Sequence, residues 1–254
     1  MNDEFYIGWE DRMPPGLARS RRGVVVFLGV FIVFAALLLA MAQRMIGAAV
    51  FEYGARKQFT GIFRAWPYPH LLVPRPAGLW LPDAYSTYLL VAPWKYGLPS
   101  ETLTKFDGKF VSLRGTLIYR DAQTMVEVAP MDIALDAGKT TRQPLPASTA
   151  LGNWTLTGEI VDSKCFLGVM NPGELTPHRA CATLCIRGGI PPIFLVRQRQ
   201  GPPLYLLLVS RDGRPVNQQV LDFVAEPLEI TGDVERRDGL LILRADPATY
   251  RRLP

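Results

Sequence analysis

The chain has 254 residues, 48% of them hydrophobic and 20% charged, which excludes wholesale disorder. Its 28 Lys and Arg against 23 Asp and Glu give a net charge of +5, spread along the chain, which offers no footing for a nucleic-acid binder. Only 2 His exclude a multi-histidine metal or haem site, and 3 Cys exclude complete disulfide pairing within one chain.

The 22 Pro and 22 Gly favour turns and short strands over a helical bundle. The predicted architecture is mainly β: a small antiparallel OB-like barrel with one short helix, preceded by a single N-terminal transmembrane helix.

Residues 1–22 carry four acidic and four basic side chains around Pro14-Pro15 and read as a cytoplasmic tail, with Phe5, Tyr6, Ile7 and Trp9 as docking side chains. Gly23 to Ala42 is a run of 20 residues without a charge. At 1.5 Å rise per residue it crosses roughly the 30 Å hydrocarbon core. Its length and the 22 residues before it point to an uncleaved anchor rather than a signal peptide. The anchor is expected to continue as helix to Val50, so that it covers 23–50. Arg19, Arg21 and Arg22 at its start place the N-terminus in the cytoplasm and the rest outside, in a bacterial periplasm.

Ala65 to Pro99 holds seven Pro and seven Trp or Tyr. Proline at this density opposes helices and interior strands, and aromatics at this density are costly to leave in water. The segment 51–105 therefore reads as an extended strap. It lies either on the protein's own β domain or against a partner subunit or the lipid headgroups. Trp9, Trp66, Tyr68, Trp80, Tyr85, Trp94 and Tyr96 are the candidate partner contacts.

From Phe106 the pattern becomes β, and 106–254 is the expected OB-like domain. Strand-like runs are Phe110–Tyr119, Thr124–Val128, Trp154–Val161, Ile193–Arg197, Leu204–Val209, Leu228–Val234 and Leu240–Arg244, with 131–152 as a loop. Leu113-Arg114-Gly115, Leu156-Thr157-Gly158 and Ile230-Thr231-Gly232 share a mid-strand Gly, the mark of a bulge or barrel bend. Phe110–Pro130 also lies on Pro227–Pro247 without a gap, matching Gly115 with Gly232, Arg120-Asp121 with Arg237-Asp238, and Pro130 with Pro247. Two hairpins of one closed barrel account for such a repeat.

The chemistry concentrates between Asp162 and Pro192. Thr176 and Pro177 suit a helix start, and Gly188-Gly189 with Pro191-Pro192 suits its stop, which predicts a short helix over Pro177–Arg187. His178, Cys181 and Cys185 then share one face, and Cys165 reaches it across the Asn171-Pro172-Gly173 turn. Three readings compete. A disulfide from Cys165 to Cys181 or Cys185 staples the helix to the barrel. Alternatively, Cys165, His178, Cys181 and Cys185 bind Zn or Cu(I), although H-x2-C-x3-C is no standard finger spacing. Thiol redox chemistry is the third, weakened by the absence of C-x2-C. His178 also reads as a water-facing residue of the first helical turn, and Asp162 with Lys164 as a solvated pair at a strand end.

There is no c-type haem motif, no Rieske motif and no G-x-S-x-G elbow; Gly138-Lys139-Thr140 lacks the first glycine of a phosphate loop, that position being Ile133. No catalytic set is recognisable.

The run Gly158-Glu159-Ile160-Val161-Asp162-Ser163-Lys164-Cys165, with His178, Cys181, Cys185 and Gly189-Ile190-Pro191, resembles a family of bacterial membrane-anchored extracytoplasmic domains with the pattern G-x-[IV]-V-D-x-x-C…H-x2-C-x3-C…G-x-P. Tyr88–Val91, Phe106–Lys109 and Gly115–Asp121 extend the resemblance to roughly residues 85–245. It implies an OB-like envelope protein, carries over Asp162, Cys165, His178, Cys181 and Cys185 as motif residues, and implies no activity. The expected function is a non-catalytic, single-span accessory subunit of a respiratory or photosynthetic inner-membrane complex, in contact with lipid and neighbouring subunits. The alternative is a membrane-tethered metal-binding or thiol redox protein.

Overall fold

The computed structural model describes residues 13–44, 49–76, 84–139 and 145–254. The chain divides into two units, Met1–Gly47 and Ala48–Pro254. In the first, helix α1 spans Pro15–Arg44, with proline at its first position, where a missing N–H costs nothing. Within Pro15–Ala42 an 18-residue window has a mean hydropathy of 3.1, so the helix is long and apolar enough to cross a bilayer. The expected tail therefore turns helical at Pro15. Ala49 and Val50, expected in the anchor, are instead the first residues of a strand. The tail's docking residues, Trp9 included, lie outside the described residues, as does Trp80.

The second unit is β, as expected, but it holds two closed five-stranded barrels rather than one. The first comprises β1 (Ala49–Arg64), β2 (His70–Pro74), β3 (Tyr85–Val91), β4 (Phe110–Arg120) and β5 (Gln123–Glu127), in the closed order β1-β2-β3-β5-β4-β1. All its pairings are antiparallel except β3 with β5. Helix α2 (Ser100–Phe106) links β3 to β4, and the short β6 (Ile133–Leu135) adds to β4. The second comprises β7 (Thr149–Asp162), β8 (Pro192–Val196), β9 (Leu204–Val209), β10 (Leu228–Arg237) and β11 (Leu240–Arg244). Its order, β7-β8-β9-β11-β10-β7 with β9 parallel to β11, repeats the first barrel strand for strand. Helix α3 (Leu175–Arg187) lies between β7 and β8, and β12 (Arg251–Arg252) caps β10.

The strap expected over 51–105 is thus corrected: it supplies β1, β2, β3 and α2. Its described prolines fall outside the strands or at their ends. Pro67 and Pro69 lie between β1 and β2, Pro74 is the last residue of β2, and Pro93 and Pro99 lie between β3 and α2. Closure leaves no long bare edge in either barrel.

The sequence repeat coincides with this duplication. It aligns the β4–β5 hairpin of one barrel with the β10–β11 hairpin of the other, not two hairpins of a single barrel. A Cβ on Gly115 would stand 2.5 Å from Glu127 O, and one on Gly232 would stand 2.3 Å from Arg244 O, the equivalent atom. Only glycine permits that approach. Asp121 and Asp238 both take positive φ in the turn, at 52° and 54°. Pro130 and Pro247 each open a short 3-10 turn.

Each barrel has its own apolar interior. Phe63, Leu71, Leu90 and Val126 fill the first; Ile160, Phe194, Leu208 and Ile230 fill the second. A third cluster is shared between the barrels. It joins Tyr68, Leu89, Val91, Ile118 and Met125 to Val161, Phe166, Ile190, Leu207 and Ile242, and Cys165 and Cys185 belong to it. Burial of each large side chain contributes about 1.5–3 kcal/mol, so this layer fixes the two barrels as one body. Tyr68 reinforces it, donating its hydroxyl to Leu208 O at 2.9 Å and accepting from Val216 N.

Candidate metal centre

The segment between β7 and β8 is an elaborated version of a connection that, in the first barrel, takes only residues 65–69. β7 ends at Asp162, a tight helical turn over Cys165–Val169 follows, and α3 returns across it. The predicted helix is present and starts two residues earlier than expected, at Leu175. His178, Cys181 and Cys185 do share its inward face. His178 and Cys185 are buried, and Cys181 is only partly so.

Cys165 Sγ lies 4.0 Å from Cys181 Sγ and 3.9 Å from Cys185 Sγ. All three thiols are free, so the expected staple between Cys165 and either helical cysteine is not formed. A ligand atom of His178 falls within 4.8 Å of those of Cys165 and Cys181. The four side chains singled out in the sequence are therefore brought together.

Asp162 and Lys164 are not a solvated pair; both are buried, and each holds part of the site. Asp162 Oδ1 accepts the Cys165 backbone N–H at 2.8 Å, and its Oδ2 bonds His178 Nε2 at 3.0 Å. One carboxylate thus fixes a thiol-bearing backbone and an imidazole ring. Lys164 turns toward the first barrel, donating to Ala92 O at 2.9 Å and Trp94 O at 2.6 Å and pairing with Glu127. His178, read as facing water, is instead buried on the Asp162 side.

One participant is not visible in the motif at all. Lys95, on the loop between β3 and α2, places its ammonium 2.8 Å from Cys181 Sγ and 3.6 Å from Cys185 Sγ. It comes from the other barrel, 86 residues before Cys181, and no local pattern announces it.

The electrostatics follow from this layout. The Cys165 thiol is pushed up, first by its hydrogen bond with Cys185 and then by burial and the Asp162 charge. Cys185 is pushed down, chiefly because it accepts that hydrogen bond, with Lys95 adding to the effect. Of these two thiols, ionisation is thus favoured at Cys185, beside Lys95, over Cys165. Lys95 is pushed up in turn by its hydrogen bond to Cys181.

Of the expected partner contacts, Trp66, Trp94 and Tyr96 are exposed, Trp94 at 82%. Tyr68 and Tyr85 are buried at 3% and are packing residues, unavailable to a partner. Tyr68 packs in the layer shared by the barrels and Tyr85 against Ile62 and Leu72, so part of the segment's aromatic density goes into packing.

No protein-family model and no curated protein matches the chain.

Proposed function

We propose that this chain is a membrane-tethered extracytoplasmic protein that binds one thiophilic metal ion, Zn(II) or Cu(I), through Cys165, Cys181, Cys185 and His178. One observation carries the reading. Every cysteine in the chain converges at one place, with Sγ separations of 3.9 and 4.0 Å and an imidazole alongside. A tetrahedral ion with bonds of about 2.3 Å to sulfur holds its thiolates roughly 3.8 Å apart, which is close to the spacing of Cys165 from each helical cysteine. A disulfide needs about 2.05 Å and would leave one thiol and the histidine without a role. Soft sulfur with one imidazole suits Zn(II) or Cu(I) over hard cations. The orienting carboxylate of Asp162 behind His178 is the arrangement metal-bound imidazoles use. The anchor is α1, and the arginines at its start favour the barrels lying outside the cytoplasm.

The test uses the full chain in detergent, prepared without chelators. The expected result is one Zn or Cu per chain with three protected thiols, and loss of the ion in Cys165→Ser. Two oxidised thiols and no metal would instead establish the disulfide staple.

A second reading, the accessory subunit of a respiratory or photosynthetic electron-transfer complex, is favoured by the exposed Trp66 and Tyr96, which line an apolar cleft of about 480 Å³ with Pro67, Leu98 and Pro215. Gentle detergent extraction decides it: the chain either co-migrates with a large haem-containing or pigmented particle or runs alone.

A further inference from the structure

We infer that the site is an exchange site, loaded and emptied through Cys181 with Lys95 assisting the exchange, rather than a closed structural centre; this rests on the metal-binding reading above. Three of the four ligand side chains are sealed: Cys165, Cys185 and His178 are exposed by 4%, 1% and 4%. Cys181 alone reaches the surface, one turn before the exposed Leu184. Lys95, which is itself partly exposed and sits on a loop, lays its ammonium against that sulfur at 2.8 Å. One ligand sulfur is thus reachable from solvent and already has a hydrogen-bond donor against it, which is what a ligand that detaches and returns requires.

The step needs no electron transfer. An incoming thiolate or other soft donor bonds to the ion from the open face, and the bond from the ion to Cys181 Sγ breaks. The freed Cys181 thiolate accepts the Lys95 ammonium as hydrogen-bond donor, at the 2.8 Å separation seen here. Cys165, Cys185 and His178 hold the ion meanwhile. In the reverse direction Cys181 leaves Lys95 and closes the coordination. Lys95 is a positioning residue: it stabilises the anion that exchange uncovers. The fourth ligand can thereby detach at little electrostatic cost in a partly buried setting. The chemical class of the partner is a protein or small molecule presenting a soft sulfur or nitrogen donor.

Two probes read this in the full chain: Zn(II) transferred to 4-(2-pyridylazo)resorcinol, and Cu(I) transferred anaerobically to bathocuproine disulfonate, both followed by stopped-flow absorbance. Transfer from the unaltered protein should be fast and should rise with chelator concentration, as attack at an open face requires. Lys95→Ala should slow it about tenfold or more at unchanged stoichiometry, and Lys95→Arg should largely restore it. In a Cys181→Ser background, Lys95→Ala should have no further effect. Rates independent of chelator, or equal in Lys95→Ala, or slowed by Lys95→Ala whether or not Cys181 is present, would each overturn the proposal. The Lys95 variants decide the matter alone if Cys181→Ser does not fold. Failure of the unaltered chain to hold either ion refutes the metal-binding reading itself. A stably held ion whose release ignores Lys95 refutes only the exchange role.

Discussion

Asp121 and Asp238 stand 117 residues apart at the same position of two equivalent hairpins, and each reaches across to the opposite barrel. Asp121, from the first barrel, accepts from the Tyr205 hydroxyl of the second at 2.6 Å. Asp238, from the second, meets the buried His70 ring of the first at 3.0 Å. The first barrel's Thr87 also donates to Asp238 O. The duplicated hairpin thus supplies a roughly reciprocal pair of polar ties around the shared apolar layer. That layer seats Cys165 and Cys185, so whatever loosens the ties also loosens the thiol cluster.

Acid should reveal the Asp238 tie. Burial pushes its carboxyl up, but the His70 hydrogen bond and the charges of His70, Arg64 and Arg237 together outweigh burial and hold it below the ordinary value of 3.8. A depressed carboxyl contributes stability that is present above its unfolded value and lost as pH falls through its folded one. Urea unfolding between neutral pH and pH below 3.8 should therefore show a falling acid limb. Asp238→Asn should start less stable at neutral pH and fall less steeply. Asp212 and Glu226 are also held low and contribute to the limb in both proteins, so the difference between the curves isolates Asp238. Parallel limbs would show that the tie contributes nothing.

Lys164 and Glu127 carry a second expectation. The Lys164 side chain is exposed by only 3% and that of Glu127 by 20%, so removing the lysine leaves a largely buried carboxylate and two carbonyls without its ammonium. Lys164→Met should cost about 3–5 kcal/mol, the range for breaking a buried pair. Adding Glu127→Gln should recover part of the loss, since the orphaned charge is then gone. Chemical denaturation of the single and double variants measures the coupling, and simple additivity would contradict it.

How much of this was legible depended on where the information lay. The β4–β5 and β10–β11 hairpins were legible because their glycines, their Arg-Asp turns and their alternation are local. Helix α3 was legible from its proline start and its double-glycine stop. The other three strands of the first barrel were not, for two physical reasons. β1 carries Glu52, Arg56, Lys57 and Gln58 on a largely exposed stretch, so it lacks the apolar alternation of a half-buried strand. Its mid-strand glycine, Gly61, follows Phe59-Thr60 and so escapes a search for an aliphatic residue at that spacing. The prolines that suggested a strap sit in the connections and at a strand end, where their missing N–H removes no ladder bond. In the site, the four candidate ligand side chains lie within 21 residues and were legible together, whereas Lys95 arrives by tertiary folding alone.

Glycine at the first-strand bends should be indispensable. A Cβ on Gly61 would stand 2.3 Å from Leu72 O, and one on Gly158 would stand 2.3 Å from Leu195 O, both backbone atoms that cannot swing away. Gly61→Ala and Gly158→Ala should each destabilise by about 1–3 kcal/mol or more through forced backbone shifts. Gly138→Ala, where nothing lies within 4 Å, should stay within about 0.5 kcal/mol of the unaltered chain. Thermal unfolding of the three variants gives the comparison, and equal midpoints would refute it.

Asp162 should matter to the ion without needing to touch it. Its two oxygens hold the Cys165 backbone and the His178 ring, so Asp162→Ala frees both while leaving every thiol and the imidazole in the sequence. Removal of such an orienting carboxylate typically lowers metal affinity about 10–100-fold. Competition against a chelator of known affinity should place the loss in that range, with one ion still bound per chain at saturating metal. Asp162→Asn separates charge from geometry. Its amide can keep one acceptor oxygen for Cys165 N, but its NH2 would oppose an Nε2–H of His178, so the loss should be intermediate. An affinity unchanged in Asp162→Ala would mean that binding does not depend on the orientation this carboxylate gives His178.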